Sequence, residues 1–408
     1  MKKNKFFTLE FKIKRAMFIM ALFSIYSFSY SNDHILNKID KNSIWINYSS
    51  ITDSSKVDSL VNFIIKNKVN IIFLETYNNG LILNDEYMNK NFIKDSLAIG
   101  TDSLYNPLQY FLKKSNTSKN LKVYALMDIY KLWTKNYYPE DSTHFYYQCP
   151  ECLESDINGR SDRLIKLDEI QSLEWEGVFL SPMHPDVNVH IVNKIIYILD
   201  NYEFDGILLD QIRYQNYYFG YNRVGMEIFH EEHNIDPQDI NRGLISKYYG
   251  YNKSEADSIK ALWDQYRINS ITQLISKVNN IIDTDIYVAV KGSPEDSINR
   301  WYQDWDSWLL DDLVDGIIIK NYNLDFKDFN YFNKLISKKY IRSTDYNKII
   351  IGINAIQGHT ASYVANKILS LRLQQFSNIS LYAYDEYKSL INWYVPIYNT
   401  INFNISDE

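Results

Sequence analysis

The sequence predicts an α/β fold, a single (β/α)8 TIM barrel, from three observations. Short apolar segments alternate with amphipathic helical segments almost throughout, which favours a parallel sheet with crossover helices. Nine strand candidates can be placed, close to the eight of a barrel with one decoration. No internal repeat or linker interrupts this pattern. We therefore expect one barrel domain over residues 32–408, after a signal peptide at 1–31.

The N-terminus has the features of a secretory signal peptide. Basic residues between Lys2 and Arg15 precede an apolar segment, Ala16 to Phe28, and small residues at Ser29 and Ser31 suit cleavage. The apolar segment is short for a transmembrane helix, and an uncleaved anchor is the alternative. No cysteine follows, so no lipid anchor is predicted. A secreted, periplasmic or cell-surface protein without stable membrane insertion after cleavage is expected.

The composition excludes some partners. A net charge of −7 argues against nucleic acid or anionic lipid as the main partner. The 35 Tyr could supply surfaces for stacking on sugars, but Asn, Lys and Ile are also abundant while Gly and Pro are scarce. Biased composition therefore accounts for the aromatic content more simply.

The predicted strands and helices follow one another in barrel order. The strand candidates are 43–47, 71–75, 122–128, 177–180, 204–210, 286–290, 314–320, 348–353 and 379–384. Helices are predicted at 57–65, 107–114 and 185–202, within a helical insertion at 216–283, and from about 389. The long polar segment 132–176 is predicted to be an elaborated loop at the barrel mouth.

The segment 204–214 is the most informative for function. Its apolar run, 207–209, suits a parallel strand that is covered on both faces, and it ends on Asp210. The active site of an α/β barrel lies at the carboxyl ends of its strands, where the βα loops converge. Asp210 is therefore predicted to be catalytic, with a structural role beside Arg213 as the alternative. Asp205, at the other end of this strand, is predicted to be structural.

Five groups of residues, in order along the chain, resemble motifs of one family. They are Ser181 to Val187; Phe204 to Tyr214; Gly220 to Asn222 with Phe229, Glu232 and Ile235 to Pro237; Trp263 with Arg267; and Tyr302 to Trp305 with Trp308, Val314 and Asp315. They resemble the N-P-G-H-P-E-V turn, the D-G-I-H-L-D-Y-I-R-Y strand, the G-Y-N…F…E…D-P element, the W…R helix and the Y-Q-D-W…W…D signature of the glycosyl-hydrolase-like 10 family. The resemblance spans about 43–390.

This resemblance implies a bacterial barrel protein related to glycoside hydrolases. It implies cleavage of O-glycosidic bonds in a polysaccharide, such as a cell-wall glycan, by paired carboxylates. The chain departs from the family at Ser181 and Met183, where Asn and Gly are usual, and at Glu75 and Tyr77, where Gln and Arg are usual. A catalytically inactive carbohydrate-binding or surface protein on the same barrel is the alternative.

Glycosidic cleavage needs a second carboxyl group, and the sequence offers four. Glu75 ends the second strand, Asp128 the third, and Asp385 and Glu386 the last. Asp385 and Glu386 cannot both point inward, because side chains alternate along a strand. Glu386 has the longer reach for a general acid. Glu386 and Glu75 are thus predicted as catalytic partners of Asp210, and Asp128 and Asp385 as substrate-binding residues, although the sequence leaves the choice open.

Other polar residues near strand ends are predicted to contact the sugar. They are His184, Arg213, Tyr214, Lys291, Lys320, Asn321 and Tyr322. A simple helix-start role is the alternative for His184. Trp301, Trp305 and Trp308 are candidate stacking surfaces, but the three-residue spacing of Trp305 and Trp308 is more typical of helix packing.

No cofactor or metal is predicted. Cys149 and Cys152 form half of a tetrahedral zinc site, and no second pair completes it. A structural or incidental pair is the preferred interpretation, a local disulfide is compatible with export, and a redox or metal-binding protein is the least favoured alternative. No phosphate-binding loop or serine nucleophile elbow occurs in the sequence.

Overall fold

The computed structural model describes residues 36–83, 106–118, 120–134, 138–166, 169–355 and 358–403. The predicted signal peptide, residues 1–31, lies outside the described residues, so its cleavage and the export of the protein remain predictions. None of the helices in the described part of the chain has the length and hydrophobicity needed to cross a membrane.

Eight parallel strands form a closed barrel, which confirms the predicted fold. The strands are β1 (Lys41–Ile46), β2 (Ile71–Asn78), β3 (Lys122–Asp128), β4 (Gly206–Asp210), β5 (Asp285–Lys291), β6 (Gly316–Lys320), β7 (Ile349–Asn354) and β8 (Asn378–Tyr382). Each strand pairs with the next, and β8 pairs with β1 to close the ring. The remaining strand candidate forms a small antiparallel ribbon outside the barrel, in which Val178–Phe179 pairs with Lys131–Trp133.

Helices connect the strands on the outside of the barrel. The longer helices are Ser54–Lys66, Pro107–Ser115, Pro185–Asn201, Arg223–His233, Lys253–Asn279, Phe326–Tyr340, Ala361–Leu373 and Val395–Asn402. Shorter ones are Phe145–Gln148, Ile170–Leu173, Pro237–Asn241, Ile245–Tyr249, Pro294–Asp296 and Trp305–Leu310. The longest begins with a capping box, since the Asn252 side chain accepts from the Glu255 amide at 3.0 Å and the Glu255 carboxylate accepts from the Asn252 amide at 2.7 Å.

Strand alternation separates two cores. Residues such as Ile44 and Ile46 pack outward against the helices, whereas Trp45 between them points into the barrel. Large aromatic residues, among them Phe73 and Tyr124, fill the barrel interior. Inward-facing positions that lie further along the same strands reach the carboxyl end of the barrel. This alternation places Glu75, Asp128, Asp210, Lys291 and Lys320 above the aromatic core.

Two tryptophans and the two cysteines have structural positions. Trp305 and Trp308 are fully buried, and the Trp308 indole donates to Thr272 Oγ1 at 2.9 Å, so both pack the helix layer rather than a sugar. Cys149 and Cys152 are joined by a disulfide within the segment predicted as an elaborated loop. That segment carries short helical turns and leads into the ribbon strand Val178–Phe179.

Candidate active site

A cavity of about 750 Å³ opens at the carboxyl end of the barrel. Its polar residues come from the strand ends and from the loops that follow them, and Trp45 also contributes to its lining. The charged residues that line it are Glu75, Asp128, Lys131, Glu176, Asp210, Lys291, Asp296 and Lys320. The position of this cavity agrees with the general location of active sites in α/β barrels.

Asp210 forms a two-point ion pair with Lys320. The Lys320 ammonium lies 2.5 Å from Asp210 Oδ1 and 2.8 Å from Oδ2, and the Gln211 amide donates to Oδ1 at 2.7 Å. Both side chains are only about one-tenth exposed. Burial would raise the pKa of Asp210, but the Lys320 charge and these hydrogen bonds outweigh it, so that the pKa lies below its usual value. Asp210 is therefore ionised at neutral pH.

Asp128 lies beside Asp210 on the neighbouring strand. The two residues are direct partners in the β3–β4 register, so both side chains point to the same face. Asp128 Oδ2 contacts the Lys131 ammonium at 3.2 Å. Burial raises the pKa of Asp128 to about 6, with the Asp210 charge also raising it and the charges of Lys131 and Lys320 opposing the rise. We call Asp128, Lys131, Asp210 and Lys320 the carboxylate pair site.

Glu75 lines the cavity from within β2, three residues before the strand ends at Asn78. Its Oε2 accepts from the Tyr48 amide at 3.1 Å, and its Oε1 accepts from Asn78 Nδ2 at 2.6 Å. These bonds hold the carboxylate at the cavity edge. The predicted end of this strand at residue 75 is three residues too early, but the predicted inward direction of Glu75 agrees with the structure.

A second charged group of residues lies at another side of the cavity. It consists of Glu176, Arg213 and Lys291, and we call it the Glu176 wall. Glu176 Oε2 accepts from Arg213 Nη2 at 2.5 Å, and Oε1 accepts from Lys291 Nζ at 2.8 Å. Burial would raise the pKa of Glu176, but the two cations lower it to about 2. Burial also lowers the pKa of Lys291 to about 8, an effect that Arg213 reinforces.

Arg213 and Tyr214 are buried next to the cavity rather than exposed in it. Arg213 is buried, and its guanidinium also donates to the carbonyls of Tyr214 and Gln215. Tyr214 is buried against the Tyr302 ring at 5.2 Å. Neither residue lines the cavity, so the structure gives Arg213 a supporting position behind Glu176 and Tyr214 a position in the core.

Aromatic and amide side chains complete the cavity around β6 and β8. Tyr322 stacks on Tyr382 with ring centroids 5.8 Å apart, and the Tyr322 hydroxyl is buried without a hydrogen-bond partner among the described residues. Asn321 lines the cavity while its amide donates to the Phe329 carbonyl and to Asn333. Trp301 contributes to the lining near Lys291. Asn321, Tyr322, Lys291 and Lys320 thus reach the predicted site.

The two acidic residues after β8 do not line the cavity. The strand ends at Tyr382, before the predicted end at residue 384, and a helical turn, Tyr384–Glu386, follows. Asp385 accepts from the Asn47 amide at 2.7 Å and from the Ser50 hydroxyl, which ties it to the end of β1. Glu386 is exposed. The preference for Glu386 over Asp128 as the partner of Asp210 is therefore revised.

His184 also lies away from the cavity. It is the N-cap of the helix Pro185–Asn201, where its Nδ1 accepts from the Asp186 amide at 3.3 Å. The same Nδ1 lies 3.7 Å from Cys152 Sγ. Cys149, Cys152 and His184 bring three potential metal-ligating atoms within 4.8 Å of one another, but the two sulfurs are bonded to each other and so do not form a thiolate pair.

Several cavity residues were not singled out from the sequence. They include Trp45, Asn47, Asn78, Lys131, Glu176, Gln211, Asn323 and Tyr382. Strand alternation could have identified Trp45 and Tyr382, which lie on the inward face of β1 and at the end of β8. Glu176 carries no local signal, because it stands in an irregular segment and its partners are distant in sequence.

The closed barrel thus carries two neighbouring carboxyl groups, Asp128 and Asp210, in a cavity at its carboxyl end. The glycosyl hydrolase-like 10 family model matches residues 40–362, and the chain belongs to that family. No curated protein sequence matches the chain.

Solved glycoside hydrolases share the fold. The chain is similar to the PgaB (BpsB) glycoside hydrolase domain from Bordetella bronchiseptica, with 11% identity and a TM-score of 0.60 over 89% of this chain and 99% of that one. It is similar to the catalytic domain of beta-amylase from Paenibacillus polymyxa, with 9% identity and a TM-score of 0.54 over 88% and 99%. It is also similar to alpha-L-fucosidase isoenzyme 2 from Paenibacillus thiaminolyticus, with 10% identity and a TM-score of 0.54 over 88% of this chain and 49% of that one.

Proposed function

We propose that the protein is an exported glycosidase that cleaves O-glycosidic bonds of a polysaccharide through Asp210 and Asp128. One observation carries this proposal: Asp128 and Asp210 are direct partners on neighbouring strands, and both carboxyl groups line one open cavity. Burial raises the pKa of Asp128, whereas the charge of Lys320 outweighs burial and lowers the pKa of Asp210. Such a difference assigns an acid and a base in a pair of titratable groups. Asp128 then supplies the proton, and Asp210 supplies the negative charge.

In the proposed reaction, protonated Asp128 donates its proton to the glycosidic oxygen as the bond to the leaving sugar breaks. Ionised Asp210 attacks the anomeric carbon, and water then hydrolyses the glycosyl ester with Asp128 acting as base. Parallel strands lie about 5 Å apart. Because Asp128 and Asp210 are partners on adjacent strands, we include retention of configuration in the proposal, since retaining enzymes have carboxyl groups about 5–5.5 Å apart.

The cavity chemistry and the family both support a carbohydrate substrate. A small number of ionic groups, amides and aromatic rings line a space of about 750 Å³, within the usual range for ligand sites of roughly 300–1,000 Å³. The solved neighbours are named as enzymes or domains that act on glycosides. The proposed substrate is a polysaccharide or an oligosaccharide that places one of its sugars in this cavity.

A carbohydrate-binding protein without activity is the second candidate. The contact of Lys320 with both oxygens of Asp210 favours it, because a carboxylate that is fully engaged by an internal cation is a weaker nucleophile. In this case the cavity would bind a glycan without cleaving it.

The substitution Asp210→Asn distinguishes a glycosidase from an inactive carbohydrate-binding protein. Purified protein is screened on peptidoglycan and on plant and algal polysaccharides for released reducing ends, and binding is measured in parallel. We expect the substitution to lower turnover by about 10³-fold or more, because the nucleophile is lost, while glycan binding changes little. The unfolding midpoint should fall, because Lys320 loses its buried carboxylate partner, so turnover is measured where the variant is folded.

Asp205→Asn is the matched control. Asp205 lies just before the same strand, at its opposite end, where it accepts from the Val123 amide at 2.7 Å. This control should retain turnover within about 2-fold, since Asp205 makes no contact with the cavity. Cleavage by Asp210→Asn at the parent rate would refute the mechanism, and binding without cleavage by the parent protein would support the second candidate.

A further inference from the structure

The two carboxyl groups of the carboxylate pair site are contacted by two cations, Lys131 and Lys320. The other charged residues that line the cavity are Glu75, Asp296, Glu176 and Lys291, and the last two pair with each other. The hydroxyl-bearing rings of Tyr322 and Tyr382 also face the cavity. Burial raises the pKa of both tyrosines, so that neither carries charge near neutral pH. The charge balance between the two carboxyl groups therefore depends mainly on the two lysines.

The two lysines contact their partners unequally. Lys320 reaches across the barrel from β6 and contacts both Asp210 oxygens, at 2.5 and 2.8 Å. Lys131 contacts Asp128 at a longer distance, with its ammonium 3.2 Å from Oδ2. A proton on Asp210 would weaken two short charge-assisted contacts with Lys320, whereas a proton on Asp128 weakens one longer contact with Lys131. Geometry alone therefore favours protonation of Asp128.

Resting on the proposed function, we propose that Lys320 is a positioning residue that keeps the single proton of the pair on Asp128 and leaves Asp210 ionised. Two adjacent carboxylates in a buried site do not both ionise readily, so the pair holds one proton below about pH 6. Lys320 decides which residue holds it. The residue thus acts through Asp210, rather than by contacting the sugar as the sequence predicted.

The inference can be tested without a substrate. Infrared spectroscopy of the full chain, labelled with ¹³C at the aspartate carboxyl carbon, follows protonated aspartate as the pH is varied. The parent protein should show one signal that disappears with a midpoint near pH 6, and this signal should be absent from Asp128→Asn. Asp162, whose pKa burial also raises, gives a background that is common to all variants.

The decisive variants remove or retain the charge of residue 320. In Lys320→Met, the midpoint of the pair should rise by about one pH unit or more, because an opposite charge within about 4–6 Å is lost. In the double variant Asp128→Asn/Lys320→Met, a protonated Asp210 signal should appear between pH 4 and 6. Lys320→Arg should restore the parent titration to within a few tenths of a pH unit, since the charge is kept.

Two further variants control for misfolding and for the loss of a lysine elsewhere on the protein. Lys320→Gln keeps a hydrogen-bond donor without charge and should shift the midpoint as Lys320→Met does, which covers the case that methionine prevents folding. Lys348→Met removes a lysine that pairs with Asp312 at 2.6 Å outside the cavity, and it should leave the titration unchanged. An unchanged midpoint in both Lys320→Met and Lys320→Gln, or no Asp210 signal in the double variant, would overturn the inference.

The result also separates this inference from the proposed function. If the Lys320 variants shift the aspartate titration but the parent protein cleaves no glycan, the assignment of the proton to Asp128 would stand and the glycosidase activity would be refuted. Cleavage by the parent with an unshifted titration would retain the activity and refute the role of Lys320. If cleavage appears only after Lys320 is replaced, the ion pair with Lys320 blocks Asp210. That result would refute the positioning role of Lys320 and would show that the parent protein is inactive.

Discussion

The carboxylate pair site and the Glu176 wall line the same cavity, yet their carboxyl groups behave differently. In the wall, one carboxylate lies between the two cations Arg213 and Lys291, and its pKa falls to about 2. In the pair site, two carboxylates share two cations, and the pKa of Asp128 rises to about 6 while that of Asp210 falls. The ratio of carboxylates to cations, rather than burial alone, distinguishes a permanent charge from a proton donor.

This contrast assigns different tasks to the two sites. Glu176 stays ionised near neutral pH, because its pKa is about 2. Its ion pairs with Arg213 and Lys291 therefore persist, and they attach the segment before Val178–Phe179 to the barrel. Asp128 can exchange a proton near neutral pH, because its pKa lies close to that range. Substitutions in each site should separate the two tasks, and we expect the largest effect at Asp128.

Asp128→Asn should lower glycan cleavage by about 10²–10⁴-fold, because general acid catalysis is lost. The loss should be smaller for substrates whose leaving groups need no proton, such as aryl glycosides with acidic phenols. Steady-state kcat/KM on both kinds of substrate measures the difference. An equal loss on both would contradict the role of Asp128 as acid.

The same substitution should make the protein more stable at neutral pH. The pKa of Asp128 is higher in the folded state, so folded protein binds more protons between about pH 4 and 6, and its free energy of unfolding falls as pH rises through this range. Asparagine carries no charge at any of these pH values, so the variant does not lose this stability as pH rises. We expect a gain on the order of 1–3 kcal/mol at pH 8 that disappears below about pH 4, measured by urea unfolding at both pH values.

Glu176→Ala should destabilise the protein, since it leaves the buried Arg213 without its carboxylate. We expect a loss of roughly 2 kcal/mol at pH 7, below the 3–5 kcal/mol typical of fully buried pairs because Glu176 is 38% exposed. The loss should shrink as pH falls below about 4, where the unfolded carboxyl group is protonated and the advantage of the low folded pKa is lost. Urea unfolding across this pH range checks both statements.

Glu174→Ala serves as the control for Glu176. Glu174 lies two residues earlier in the chain and pairs with Arg300, but both side chains are well exposed. Its removal should change the free energy of unfolding by less than about 1 kcal/mol. Equal losses for the two variants would show that the buried position of Arg213 does not matter.

Glu386→Gln should have the smallest effect, within about 2-fold on kcat/KM. Glu386 is exposed and contributes nothing to the cavity lining. A loss of about 10²-fold or more would instead restore the sequence-based choice of Glu386 as the partner of Asp210, and it would require the turn after β8 to move towards the cavity.

Local pattern predicts much of this architecture because it depends on neighbours in the chain. The predicted strand 122–128 agrees with the observed β3 at both ends, and the apolar run before Asp210 lies in β4 as expected. Strand alternation then carries Asp128 and Asp210 to the mouth of the barrel. For β8 the same reasoning extends the strand two residues too far, and this difference removes Glu386 from the cavity.

Partners that are distant in sequence decide the charge states. Glu176 meets Arg213 across 37 residues and Lys291 across 115, and Lys320 meets Asp210 across 110. The amino-acid sequence was sufficient for the barrel, its order of elements and the location of Asp210, since hydrophobic periodicity and strand ends are local properties. The proposed acid Asp128, the ionised Asp210 and the ion pairs of Glu176 required the tertiary structure, because burial and Coulomb interactions depend on distances that only closure of the barrel creates.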